Sequence, residues 1–310
     1  MDGILNINKA TGMTSHDVVA KVRKLLKQRR VGHAGTLDPA ASGVLPICVG
    51  LGTRVAEYLS ESGKAYEATL CFGIVTDTYD VEGEVIRTGD ASQLTAQHVI
   101  ELFPRFLGPQ LQQPPLYSAI KLQGQPAYKR VRAGEDITLA ARPIEISQLQ
   151  LLNWQAGTNP RATLAVTCSK GTYIRSLAYD MGEQLGCGAH LSALVRTRSG
   201  PFTLAECVTL DEVAQAIEQG TIAQLLLPAD RVLASYPALY LDATTTAAVL
   251  HGNPFQHAAE QQLAPETTLA RVYDEEGHFL AIASWDAQRA HWQPKKVFMH
   301  DETGGEQPVP

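Results

Sequence analysis

Several features that would classify a chain quickly are missing from this one. Its five cysteines (Cys48, Cys71, Cys168, Cys187 and Cys207) are odd in number, scattered and never spaced C-x-x-C. That argues against a disulfide framework and a structural zinc, and for reduced thiols. No apolar run approaches the roughly 18 residues of a membrane-spanning helix. The opening MDGILNINKA lacks the basic-then-apolar pattern of a signal peptide. A cytoplasmic protein is the expectation. There is no P-loop, no G-x-G-x-x-G and no G-x-S-x-G elbow, and the nine histidines never pair at ligand spacing. The acidic stretch TDTYDVEGE lacks the D-x-D-x-D spacing and sixth-place glycine of a calcium loop. Nucleotide cofactors, metals and serine hydrolysis therefore have no signal here.

What is present is an ordinary globular chain of 310 residues, 45% hydrophobic and 19% charged, long enough for about two domains. The net charge of −6 hides an asymmetry. Residues 1–200 carry 21 Lys plus Arg against 17 Asp plus Glu, a balance of +4; residues 201–310 carry 5 against 15, a balance of −10. A polyanion responds to local potential rather than to the total, so the first part is where a phosphate backbone would lie.

Along the chain, GILNINK reads as a strand and MTSHDVVAKVRKLLKQRR (13–30) as a helix capped by Thr14 or Ser15. Val18, Val19, Val22, Leu25 and Leu26 project to one helix face, and Lys21, Arg23, Lys24, Lys27 and Arg30 to the other. Six basic residues in KVRKLLKQRR with no acid between them repel one another, more than solubility alone asks for. GVLPICVG, KAYEATLCFGIV, IEISQLQLLNW and RATLAVTCSKGTYIR read as strands. TDTYDVEGEVI reads as a polar turn and return strand. TRVAEYLSE, residues 92–107, SLAYDMGEQLGCG and VTLDEVAQAIEQ read as helices, and PPLYSAIKLQGQPAYKRVRAG as extended, basic and loop-rich. Without regular βαβ spacing this suggests an α+β sheet domain. From about Pro237 the texture becomes acidic and β-rich, with a hairpin turning at Asp274 to Gly277 and a boundary between 228 and 238.

One carboxylate stands out. RRVGHAGTLDPAASGVLPICVG (29–50) places Asp38 in a Gly- and Thr-rich turn between the basic helix and an apolar strand. Taken singly, Asp-Pro is a turn dipeptide whose carboxylate caps backbone N–H groups. Likewise Tyr66 at a strand start reads as core, Leu194 as core on an apolar helix face, Arg175 as a salt-bridge residue and His33 as a backbone-bonded turn residue. The assembly says more. G-H-x-G-T-L-D-P-x-A-x-G-x-L around Asp38 is followed in order by K-x-Y, T-D-T-x-D-x-x-G, C-S-x-G-T-Y-I-R and C-G-A-H-L-x-x-L-x-R-x-x-x-G-x-F.

In these motifs the chain resembles the TruB-type pseudouridine synthases over nearly its whole length. The resemblance implies an α+β pseudouridine synthase fold with a mixed, largely antiparallel sheet in residues 1–232. It also implies a small PUA-like, RNA-binding pseudo-barrel in 237–300 and a tail in 301–310. The implied activity is isomerisation of uridine 55 in the T-arm of tRNA, with base flipping, no redox cofactor or metal, no protein partner and no membrane. Carried over residue by residue, Asp38 is the carboxylate acting on the ribose as nucleophile or base, and Arg175 its charge partner. Tyr66 stacks on the uracil and helps remove the C5 proton. Tyr173 and Leu194 line the pocket, and His33 fills the stack vacated by the flipped base. Asp77 and Asp80 tie a polar network, and the basic helix and KLQGQPAYKRVR meet phosphates. Two other readings stand beside this one: a synthase of the same superfamily acting on rRNA or small RNA, and a non-catalytic RNA-folding protein for which Asp38 is dispensable.

Overall fold

The computed structural model describes residues 1–257 and 268–298. The expected tail 301–310 and the last residues of the expected second domain lie outside the described residues. The architecture is α+β, built on a nine-stranded sheet. Its main path runs Gly3–Lys9, Ser42–Val49, Ala189–Ser199, Lys64–Phe72, Arg161–Cys168, Arg142–Gln155 and Gly108–Gln112. Val31–His33 pairs with Ser42–Val49, and Phe202–Thr203 with Ala189–Ser199, off this path. All pairings are antiparallel except one short parallel contact, Val195 with Ser42 and Arg196 with Gly43.

The basic helix covers Ser15–Leu26, four residues shorter than its polar pattern suggests. Thr14 caps it, with Asp17 reaching back to complete a capping box. Lys27 stops it: its backbone is left-handed (φ 51°), and the Gln28 N–H turns back to the Arg23 carbonyl. Val18, Val19, Val22 and Leu26 are buried under this helix against Leu5, Ile7, Leu45 and Ile47 of the sheet. Lys21, Lys24 and Lys27 are exposed, and Arg23 bends down to donate to the Val31 carbonyl at 2.6 Å.

Four other expectations are corrected. Within the segment read as extended loop, Lys121–Leu122 and Gln125–Pro126 pair and Ala127–Arg132 is helical, because Ala127, Ile137 and Leu139 make a small core of their own. The strand begun at Lys64 breaks at Gly73 (φ 87°) before resuming at Ile74. The strand from Arg161 ends at Cys168, and Ile174 and Arg175 open the helix Ile174–Gln184. Finally Leu194 lies on the strand Ala189–Ser199, not on a helix; alternation of small and polar residues there hid the strand's period.

A separate four-stranded sheet joins Ala238–Tyr240, Leu269–Tyr273, Phe279–Asp286 and His291–Val297, with a helix at Ala243–Leu250. It is seated on the large sheet's domain. Ile282 and Phe298 are buried in one cluster with Ile4, Val44, Val55 and Phe202, and Lys296 reaches the Arg54 carbonyl at 2.7 Å and Glu57 at 2.6 Å.

The parallel contact is very close. A Cβ on Gly43 (φ 101°) would lie 2.3 Å from the Arg196 carbonyl oxygen, which is backbone and cannot yield. Gly43→Ala is expected to destabilise the protein by more than about 2 kcal/mol through combined strain and overpacking. Urea unfolding of both proteins checks this; a loss within about 0.5 kcal/mol would show that the strands can part.

Candidate active site

Asp38 stands on the loop between the strands Val31–His33 and Ser42–Val49, and the loop is held from several sides. The buried Ser15 hydroxyl accepts from the Leu37 N–H at 2.9 Å and donates to its carbonyl at 3.1 Å. The Gly12 N–H donates to the Pro39 carbonyl at 2.9 Å, and the Ala41 N–H to the Asp38 carbonyl at 3.0 Å. The Asp38 side chain remains 42% exposed, so the carboxylate faces a cleft while its backbone is fixed.

Behind it lies Arg175, only 8% exposed. Its Nε is 3.1 Å from Asp38 Oδ2 and its Nη1 3.5 Å from Asp80 Oδ2. Nη1 also donates to the Thr78 carbonyl at 3.2 Å, and Nη2 to the Tyr117 carbonyl at 3.0 Å. One guanidinium thus bridges two carboxylates distant in sequence, with its remaining protons given to carbonyls. Such a buried cation is tolerable because two carboxylates and two carbonyls surround it. Asp80 is in turn held by the Thr78 hydroxyl at 2.6 Å and the Glu82 N–H at 3.0 Å, both on Oδ1. The preceding residue, Tyr79, takes a left-handed conformation (φ 63°) and stacks on Tyr179, with ring centroids 4.1 Å apart. That strained residue turns Asp80 toward Arg175. Asp77 makes no ion pair with Arg175 among the described residues; its Oδ1 accepts from the Glu84 N–H at 2.9 Å, and its charge acts on the Tyr117 hydroxyl.

The cleft in front of Asp38 is open to solvent and spans about 270 Å³. Asp38, Asp80 and Arg175 supply its polar wall, and Leu191, Leu194 and Val81 its apolar one. Leu194 packs at the junction of two core clusters, as does Tyr66. Burial pushes the Tyr66 hydroxyl above its ordinary pKa, with Arg196 opposing and Asp38 adding to the rise. Burial also raises Tyr173, whose backbone N–H and carbonyl are both pinned by the Gln112 side chain, at 2.8 and 3.0 Å. Tyr66 and Tyr173 are therefore neutral phenols, and neither is among the residues lining the cleft. His33 is not among the residues lining the cleft. It lies at the other end of the loop, edge-on to His16 at 5.3 Å between ring centroids, with a buried Nδ1 that has no partner among the described residues.

Similarity to known proteins gives the family. Residues 23–174 match the N-terminal domain of the TruB family pseudouridylate synthases, 175–234 the tRNA pseudouridylate synthase B C-terminal domain, and 237–297 the pseudouridine synthase II TruB C-terminal domain. The tRNA pseudouridine synthase B of Symbiobacterium thermophilum is 48% identical over 81% of this chain and 82% of its own. The chain belongs to the TruB family. The Geobacter sulfurreducens TruB relative, also named tRNA pseudouridine synthase B, is 40% identical over 96% of this chain and 100% of its own. Among solved structures, an H/ACA RNP bound to a substrate RNA containing 2′-deoxyuridine has a chain that superposes with a TM-score of 0.73. It is 26% identical, over 97% of this chain and 86% of that one.

Two residues of this TruB-family site carried no assigned role in the sequence. Lys9, fully buried, donates from Nζ to the carbonyls of Met13 (2.7 Å), Ala10 (2.9 Å) and Pro39 (3.3 Å). Arg196, 1% exposed, donates from Nε to the Val44 carbonyl (2.7 Å), from Nη2 to that of Gly35 (2.9 Å) and from Nη1 to that of Thr36 (3.4 Å). Arg196 lies inside the C-G-A-H-L-x-x-L-x-R match, and an arginine on a strand that pairs on both sides was the available signal.

Burial, then His16 and Arg196, lower the pKa of His33. The unfolded chain therefore binds its proton first as pH falls, and this group's contribution to stability declines as pH drops below about 6.5. His33→Gln is expected to lose less stability than the parent between pH 7 and 5, in urea titrations at each pH. Parallel losses would show that the ring is solvated when charged.

Proposed function

We propose that this protein isomerises uridine to pseudouridine in tRNA, at position 55 in the T-arm. The observation that carries the reading is the accessible Asp38 carboxylate held by the buried Arg175 at the mouth of a partly apolar cleft. The names of the close relatives set the substrate class. Their identity to this chain, 40–48%, is well above the 26% shared with the H/ACA chain, which favours tRNA over a guide-directed target. The same relationship supports a cytoplasmic place of action.

The reaction breaks the C1′–N1 bond, turns the uracil and forms a C1′–C5 bond. N1 gains a proton and C5 loses one, so no atom or electron is gained overall. Asp38 acts on the ribose, as nucleophile or as base, from a position fixed by its loop. Arg175 holds the carboxylate and faces the charge that moves during the reaction. Leu194, in the cleft wall, meets the flipped uracil; Tyr66 and Tyr173, outside the lining in the RNA-free chain, close onto it when RNA binds, where Tyr66 assists loss of the C5 proton. Flipping costs a few kcal/mol, which contacts elsewhere on the RNA supply. His33, at the edge of the loop, is the residue for the vacated stack. Lys21, Lys24 and Lys27, all exposed on one helix, and the helix Ala127–Arg132 with Lys129, Arg130 and Arg132 are placed to meet phosphates. The four-stranded module beyond Pro237, PUA-like in this reading, adds a second RNA contact.

Incubation with unmodified tRNA transcript and mapping of pseudouridine tests the reading directly; no conversion in the T-arm overturns it. Asp38→Asn is expected to bind tRNA with near-normal affinity and lose turnover by ~10³-fold or more, because binding comes from phosphate and shape contacts. Turnover within tenfold of the parent would remove Asp38 as the catalytic carboxylate, and absence of turnover in the parent would favour a non-catalytic RNA-folding role. Reversing the charges of Lys21, Lys24 and Lys27 together should lower the slope of log affinity against log salt by about 2 to 3. An unchanged slope would make that face solvated surface only.

A further inference from the structure

We propose that Arg196 is a positioning residue: it joins the Asp38 loop to Tyr66 and sets the rate of isomerisation while leaving tRNA binding unchanged. The inference rests on the isomerase reading above and deepens it.

The first observation is energetic. Arg196 is 1% exposed, and among the described residues its guanidinium meets no carboxylate. A cation buried in a sheet is costly, and an apolar side chain of similar volume would commonly leave a fold as stable or more so. The arginine is therefore poorly explained as a stabiliser of the sheet. What its planar fork supplies is direction. The three carbonyls it grips belong to Gly35 and Thr36, just before Asp38, and to Val44, just after the loop rejoins the sheet. Both ends of the loop are thus referred to one rigid group.

Two further features fit a seat made for this side chain. At Gly35 (φ 83°) an added Cβ would stand 3.4 Å from Arg196 Nη1, while at Gly43 it would strike the Arg196 backbone. Tyr66 is the direct cross-strand partner of Arg196, and the guanidinium's charge opposes the rise in the Tyr66 hydroxyl's pKa. The carboxylate's loop and the phenol are therefore fixed relative to each other through Arg196, from behind the cleft. Arg196 is absent from the cleft lining, so it is not placed to touch RNA. Misplacement of a reacting group by about 1 Å can cost ~10²-fold in rate.

The test uses Arg196→Lys and Arg196→Met in the full chain. Single-turnover rates at saturating unmodified tRNA transcript are compared with dissociation constants for the same RNA. Backbone hydrogen exchange is followed over residues 34–41 without RNA. For the lysine variant the expected result is a rate lower by ~10²-fold, with affinity within about twofold of the parent. Exchange should be faster at residues 34–41 and unchanged elsewhere. The methionine variant should lose more rate than the lysine variant, whose retained cation rescues part of it. A parental rate in Arg196→Lys overturns the proposal, as do equal losses of rate and affinity. Loss of protection throughout the lysine variant overturns it too, making Arg196 a residue of the fold. If the parent protein itself forms no pseudouridine, the isomerase reading fails separately. The exchange arm then still decides whether Arg196 fixes the loop, unchanged protection at 34–41 overturning it.

Discussion

Everything at the site depends on keeping charge in a nearly dry place. Arg175 achieves this by meeting Asp38 and Asp80 together and spending its remaining protons on the carbonyls of Thr78 and Tyr117. Three segments far apart in sequence, the Asp38 loop, the turn at 78–80 and Tyr117, converge on that one side chain. The Ile74–Thr88 hairpin is pinned to the sheet through the Leu191 N–H and the Tyr79 carbonyl. The helix that begins at Ile174 is anchored by Gln112 at Tyr173. Without these anchors the guanidinium would face unpaired carboxylates or none, and either state is expensive.

A second tier of cations works beneath the first. Lys9 and Arg196 give their protons to carbonyls of the loop and its surroundings, Lys9 to Pro39 just after Asp38 and Arg196 to Gly35 and Thr36 just before it. The half-buried carboxylate is thus carried on a backbone held from several directions. This division suits a reaction in which the base must turn over while the ribose and the carboxylate keep their places.

Much of this was legible in the residues. The capped basic helix, the strand GILNINK and the run GVLPICVG follow from local periodicity, and Asp38, Tyr66 and Arg175 from motif order. Other features were not legible, for physical reasons. Leu194 appeared helical because HLSALVRTRS mixes small, polar and charged residues on a strand flanked on both sides, where alternation is erased. The helix Ala127–Arg132 depends on Ile137 and Leu139, outside its own window. The bridge from Arg175 to Asp80 is a tertiary fact, produced by a left-handed Tyr79 that no propensity favours. His33 was placed by its distance in sequence from Asp38, and chain distance did not bring it to the cleft.

The parallel strand pairing within the large sheet, Ser42 with Val195 and Gly43 with Arg196, joins segments about 150 residues apart. Contacts of such separation are the slow ones, since a long loop must close before they form. During synthesis the Asp38 loop leaves the ribosome early, whereas Arg175 and Arg196 follow only after more than half of the chain. A nascent chain therefore carries its carboxylate without either arginine. The isomerase competence of the protein is in effect a checkpoint on completion of the large sheet, which no partial chain ending before Arg196 can pass.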